Sequence, residues 1–148
     1  MEFKYNDGGR LNSGFKALSG DCVCRSIVIA TGKPYDEVYE VLAQGNATQR
    51  VTKHVKSSRA NVKTASRGIN VKRKWFKDYM ASLGFTWVPT MGIGTGCKVH
   101  LSKDELPSGT LIVAVSKHYT CVIDGVIHDT FNPDRDESRC VYGYWKLN

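Results

Sequence analysis

Gly20-Asp21-Cys22-Val23-Cys24-Arg25-Ser26-Ile27-Val28-Ile29-Ala30-Thr31-Gly32 is the stretch on which the fold turns. Val23, Ile27 and Ala30 recur at helical spacing, and Val28 and Ile29 fill the other sides. A helix apolar nearly all round is a buried one. Asp21 is a good N-cap residue and Gly32 suits the left-handed position after a last turn, which predicts a helix over Asp21 to Ala30. Pro34 fits the first turn of a second helix, Tyr35 to Ala43, with Tyr35, Val38, Tyr39 and Leu42 on one face.

Further along, Gly45 to Arg67 is rich in Ser, Thr, Asn, Lys and Arg and has no apolar period, so it reads as a mobile loop, with a short basic helix as the alternative. Asn70 is placed to cap a third helix through Leu83, where Val71, Trp75, Tyr79 and Leu83 recur every fourth residue. Phe85 to Val88 reads as a strand stopped by Pro89. The last third is β in character: Thr110 to Ser116, His118 to Ile123, Val126 to Asp129 and Cys140 to Trp145. Asp124-Gly125 between two of these runs is a strong hairpin signal. Helices followed by an antiparallel sheet predict an α+β fold over residues 1–148 as a single domain, with a basic loop inserted at about 45–70.

With 148 residues, 41% hydrophobic and 24% charged, the chain has an ordinary globular composition. Its longest apolar run is Leu111 to Val115, far short of the ~20 residues of a membrane span, so no membrane partner is expected. The first ten residues are polar and lack a signal-peptide core. A reducing, cytoplasmic setting with five free thiols is the expectation from that. The net charge of +7 is local in origin. Ten basic residues and no Asp or Glu lie between Ala43 and Lys77, whereas the rest of the chain holds 11 basic and 14 acidic residues. Arg50, Lys53, Lys56, Arg59, Lys72, Arg73 and Lys74 are therefore candidate anion-binding residues, for nucleic acid or an acidic protein. A solvated basic loop without a partner fits the composition equally.

Cys22 stands at the first helical position, where free backbone N–H groups and the helix dipole favour a thiolate, the nucleophilic form of a thiol. The competing reading is a small buried residue, the usual fate of a free cysteine. Cys24 lies about 200° further round the helix and faces packing. Arg25 shares the face of Cys22 and can reach back to Asp21. A thiol nucleophile needs a base, and the base needs an orienting group. If Asp124-Gly125 is a two-residue turn, Val122 pairs with Ile127 and Thr120 with Asp129. His118 and Asp129 then share a face as diagonal neighbours roughly 7 Å apart, within reach of an imidazole–carboxylate hydrogen bond. The same register puts His128 on the other face, opposite Cys121. An edge-capping His118 and a turn-forming Asp129 are the plain alternative.

Other constellations carry less. Cys97-x2-His100 and Cys22-x-Cys24 do not make a zinc spacing, and no metal or cofactor is expected. Gly92-x-Gly94-x-Gly96 lacks the Lys-Ser/Thr and the long helix of a phosphate loop, and is expected to line a cleft. Trp75, Tyr79, Phe85 and Trp87 are expected in the core, although aromatics beside Lys and Arg also suit nucleic acid.

Gly20-Asp21-Cys22 opening a buried helix, with His118 starting one strand and Asp129 ending the next, resembles the papain-like cysteine hydrolases. In that family a nucleophilic Cys heads the central helix, and a His and an Asp or Asn follow from an antiparallel sheet. Three stretches are also similar to an uncharacterised family of phage and bacterial genomes. They are Gly20 to Arg25 with Gly32 to Tyr39, then Trp87 to Leu101, then His118 to Trp145. What the resemblance implies is a thiol hydrolase of an amide, peptide or isopeptide bond, with Cys22, His118 and Asp129 as catalytic residues and a peptide or protein substrate. Its setting would be the cytoplasm of a bacterial or phage-infected host cell. Where papain-like enzymes place an oxyanion-binding Gln shortly before the nucleophile, this chain has Lys16, with Ser19 and Asn12 nearby as candidate donors. An acyl or amide transferase would use the same three residues. The reading from another class is a non-catalytic binding module on the same scaffold, engaging nucleic acid or an acidic protein through the basic segment.

Overall fold

A computed structural model describes residues 1–15, 20–49, 63–66 and 68–148. Its elements in chain order are β1 (Glu2–Tyr5), a 3-10 turn (Leu11–Ser13), α1 (Cys22–Thr31), α2 (Tyr35–Thr48), α3 (Lys74–Ser82), β2 (Phe85–Pro89), β3 (Thr110–Val115), β4 (His118–Ile123), β5 (Val126–Asp129) and β6 (Gly143–Leu147). The architecture is α+β. The six strands form one sheet in the order β1-β5-β4-β3-β6-β2. It is mixed and not antiparallel throughout as expected, because β1 runs parallel to β5. β1 is exposed at all four positions, so as an edge strand it carries no apolar alternation.

Alternation along β3 organises the core. Ile112 and Ala114 face the helices, where they pack with Ile27, Val38, Leu42, Phe76, Met80 and Trp145. Leu111, Val113 and Val115 face the other way, onto Leu101, Leu106, Val122, Ile127 and Val141. A strand buried on both faces reads as a continuous apolar run, which is what Leu111 to Val115 is. The long excursion between β2 and β3 thus forms a second covering layer.

Several local expectations are revised. Asp21 occupies the N-cap position of α1 but makes no side-chain capping bond, because its carboxylate is taken by Arg25 and Tyr35. α2 continues through Gly45 to Thr48 where a loop was expected. A Cβ on Gly45 would sit 2.5 Å from the Trp75 ring, so the glycine is there to admit the indole, not to end the helix. Asn70 organises a turn, accepting from the Lys72 and Arg73 amides, and α3 starts only at Lys74. Cys97 and Cys140 form a disulfide, which corrects the expectation of five free thiols. The reason is local pairing: His100 bridges Cys140, the Leu101 amide donates to Arg139 O and the Val141 amide to Val99 O, so the two segments lie alongside with the cysteine Cα atoms 5.8 Å apart.

Candidate active site

Cys22 is the first residue of α1. The first α-helical bond runs from the Arg25 amide to Asp21 O, so the amides of Cys22, Val23 and Cys24 precede the ladder. α1 packs against β4, the strand that begins with His118. β4 and β5 pair in the expected register, Cys121 with His128, Val122 with Ile127 and Ile123 with Val126. Asp124 and Gly125 both hold positive φ, as a two-residue hairpin turn of this type requires.

That register brings His118 and Asp129 together: His118 Nε2 lies 2.7 Å from Asp129 Oδ2. Nδ1 is left for the other side of the ring, and the Cys22 side chain, lining the same cleft as the ring, joins Asp129 in favouring the charged imidazole. Burial of the ring works against its charged form. Asp129 and Cys22 outweigh that and push the His118 pKa up to about 9. Phe131 packs on the ring at 5.0 Å between centroids. Cys22 is half-buried, whereas Cys24 and Cys121 are buried, and burial pushes both of those thiols up to about 12.

Asp129 is 1% exposed, and its carboxylate is fully engaged. Thr120 Oγ1 donates to Oδ2 at 2.7 Å, the Thr130 amide to Oδ1 at 2.7 Å and Arg25 Nη2 to Oδ1 at 2.9 Å. Burial alone would raise its pKa; the bond to His118, the charges of His118 and Arg25 and the Thr120 hydroxyl reverse this and hold it below the usual carboxylate value. Arg25 also pairs with Asp21 Oδ1. Asp21 Oδ2 accepts from the Tyr35 hydroxyl at 2.6 Å and lies 3.4 Å from Arg10 Nη1. The result is a file of alternating charge, Arg10, Asp21, Arg25, Asp129, His118, that ends on the cleft Cys22 also lines. Sequence reasoning found the Arg25–Asp21 contact and paired Thr120 with Asp129 without assigning its hydrogen bond, and it missed Tyr35, Arg10 and the reach of Arg25 to Asp129. Thr120 was within reach, since it alternates with His118 on β4; Arg10 and Tyr35 meet Asp21 only through tertiary packing.

Cys22 and His118 open into a cleft of about 1010 Å³ walled by Trp87, Trp145, Tyr119 and Tyr142. Trp87, expected in the core, is 38% exposed on this wall and packs on Trp145 at 5.2 Å between centroids. The glycine loop Gly92–Gly96 contributes no lining residue; it is exposed and closed on itself through Thr95 and Gly92. Asn12 lies on the exposed turn Leu11–Ser13 and is not among the lining residues, and Ser19 lies outside the described residues. Lys72 lines the cleft, Lys74 pairs with Asp78 at 2.6 Å on the exposed face of α3, and Arg73 precedes that helix. Arg50, Lys53, Lys56 and Arg59 fall outside the described residues. Cys97, bound to Cys140, is not a free thiolate ligand beside His100.

Fold and site together define an α+β protein with a half-buried thiol at the head of a helix and an imidazole–carboxylate pair on two adjoining strands, thiol and imidazole lining one cleft. No family model, curated protein or solved structure matches the chain. Among the described residues, no helix is long and apolar enough to cross a membrane.

Proposed function

We propose that the chain is a papain-like thiol hydrolase acting on an amide, peptide or isopeptide bond, with Cys22 as nucleophile, His118 as proton shuttle and Asp129 as the group that orients the imidazole. The observation that carries this reading is geometric: Asp129 holds His118 Nε2 at 2.7 Å, and the imidazole lines the same cleft as Cys22 at the head of α1. His118 takes the thiol proton as Sγ attacks the carbonyl carbon, and the displaced electron pair moves onto oxygen, where the Cys22 amide would donate to it. As the C–N bond breaks, the imidazolium gives its proton to the leaving amine, and a thioester remains. Water then attacks the thioester, His118 takes its proton, and the acid departs with the thiol restored. An amine in place of water makes the same site a transferase.

The test is brief iodoacetamide labelling read by peptide mass spectrometry. Cys22 is expected to label faster than N-acetylcysteine at about pH 6, where an unassisted thiol is nearly all protonated. His118→Ala should slow that labelling by at least roughly tenfold, because the thiolate loses its counter-ion. Labelling of Cys22 no faster than the free amino acid, or unaffected by His118→Ala, sinks the hydrolase reading and leaves a binding scaffold.

A further inference from the structure

Three lysines line the same cleft, and among the described residues no acidic one does. Lys72 comes from the turn ahead of α3, Lys77 from α3 itself and Lys117 from the turn between β3 and β4. All three are exposed, and among the described residues none has an ion-pair partner. Lys74, one turn away on the outer face of α3, is by contrast neutralised by Asp78. The three cleft lysines thus have no counter-charge among the described residues.

Lys117 is the more telling of the three. It is the second residue of a two-residue turn between Val115 and His118, and its φ is +56°. Glycine or asparagine is the usual occupant of such a position, and turn chemistry gives no reason for lysine. The turn is held from behind by Arg139, whose Nη2 donates to Ser116 O at 2.5 Å. Lys117 thus holds a strained backbone conformation next to the candidate base and on the cleft wall.

We infer that the cleft selects polypeptide segments in which an apolar or aromatic side chain is flanked by aspartate or glutamate. The aromatic walls Trp87, Trp145 and Tyr142 receive the apolar side chain, and Lys72, Lys77 and Lys117 receive the carboxylates. This rests on the thiol-hydrolase reading: a thiol with an imidazole acts on carbonyl carbon, which a polypeptide offers at every residue and a phosphodiester backbone does not. Each exposed pair contributes little, but three together amount to roughly tenfold in affinity at low salt.

The probes are a dye-labelled peptide with a central Phe-Leu pair flanked by acidic residues, its counterpart with lysines for the acids, and an oligothymidylate of equal charge, all read by fluorescence anisotropy. The acidic peptide is expected to bind roughly tenfold tighter than the basic one at low salt, and the preference should fade as salt screens the pairs. Lys72→Gln, Lys77→Gln and Lys117→Gln together should abolish the preference, while the triple Lys→Arg variant should keep it. Equal binding of the two peptides, a preference that survives the Gln variant, or tighter binding of the oligothymidylate overturns the proposal. Cys22 labelling by iodoacetamide, measured separately on the wild type, reports the failure of the hydrolase reading on its own.

Discussion

At the scale of single residues, Arg25 connects helix chemistry to site chemistry. It stands one turn after Cys22, is 5% exposed, and holds Asp21 with one nitrogen and Asp129 with the other. Removing one partner of a buried ion pair leaves an uncompensated charge and costs about 3–5 kcal/mol. Arg25→Met is therefore expected to lower unfolding free energy by about that much at neutral pH, read by urea titration. The pH dependence has a definite sign. Asp129 is held below its ordinary value of 3.8, so it contributes stability that is present above that pH and lost as pH falls through its lower folded value. Arg25 is one cause of that lowering, so the gap between wild type and variant should narrow as pH falls below 3.8. A gap constant across that range would show that Arg25 acts by packing alone. The face shared by Cys22 and Arg25 was legible from helical spacing, and the face shared by His118 and Asp129 from the Asp124-Gly125 turn. The link between the two faces was not, because it is made by a side chain spanning two elements far apart in sequence.

At the scale of elements, α2 shows what local signals leave out. Its first turns follow from Tyr35, Val38 and Leu42, all buried on one face. Its last turn does not, since Gly45 costs a helix interior about 1 kcal/mol relative to alanine and the neighbouring residues are polar. The compensation is tertiary: the Trp75 ring occupies the space of the missing Cβ, and Trp75 Nε1 donates to Gln49 Oε1 at 3.2 Å. Gly45→Ala is thus a substitution for which propensity and packing disagree. Propensity alone would raise stability, whereas overpacking costs about 1–3 kcal/mol. We expect packing to win, because the contact is with a ring wedged against Phe76 and not with a flexible side-chain end. A lowered melting temperature with altered tryptophan fluorescence is the expected result; a raised one would place the Trp75 ring elsewhere. β1 was illegible for the opposite reason. It pairs through its backbone at a sheet edge and buries no side chain that could leave a period in the sequence.

At the scale of the whole molecule, the sheet separates two apolar clusters that are covered in different ways. The helical side is sealed by α1, α2 and α3, whose periodicities could be read directly. The other side is covered by Leu101, Leu106 and Val141 from connecting segments with little regular structure, and their place could not be read from a period. Such a layer is held by few backbone bonds of its own, and the Cys97–Cys140 disulfide falls where its two strands of chain meet beside His100. The bridge closes a sequence separation of 43 residues that includes β3, β4 and β5. By chain entropy, a loop of that size restrains the unfolded chain by about 4 kcal/mol. Cys97→Ser with Cys140→Ser, or reduction of the wild type, is accordingly expected to lower the thermal midpoint by several degrees or more. Hydrogen exchange should quicken first at the amides of Leu101 and Val141, which bond across the bridged segments. The β4–β5 ladder that positions His118 and Asp129 lies within the closed loop but is paired independently of the sulfur bridge, so its amides should stay protected until global unfolding. Loss of protection at Val122 and Ile127 together with Leu101 would mean that the covering layer and the site unfold as one unit.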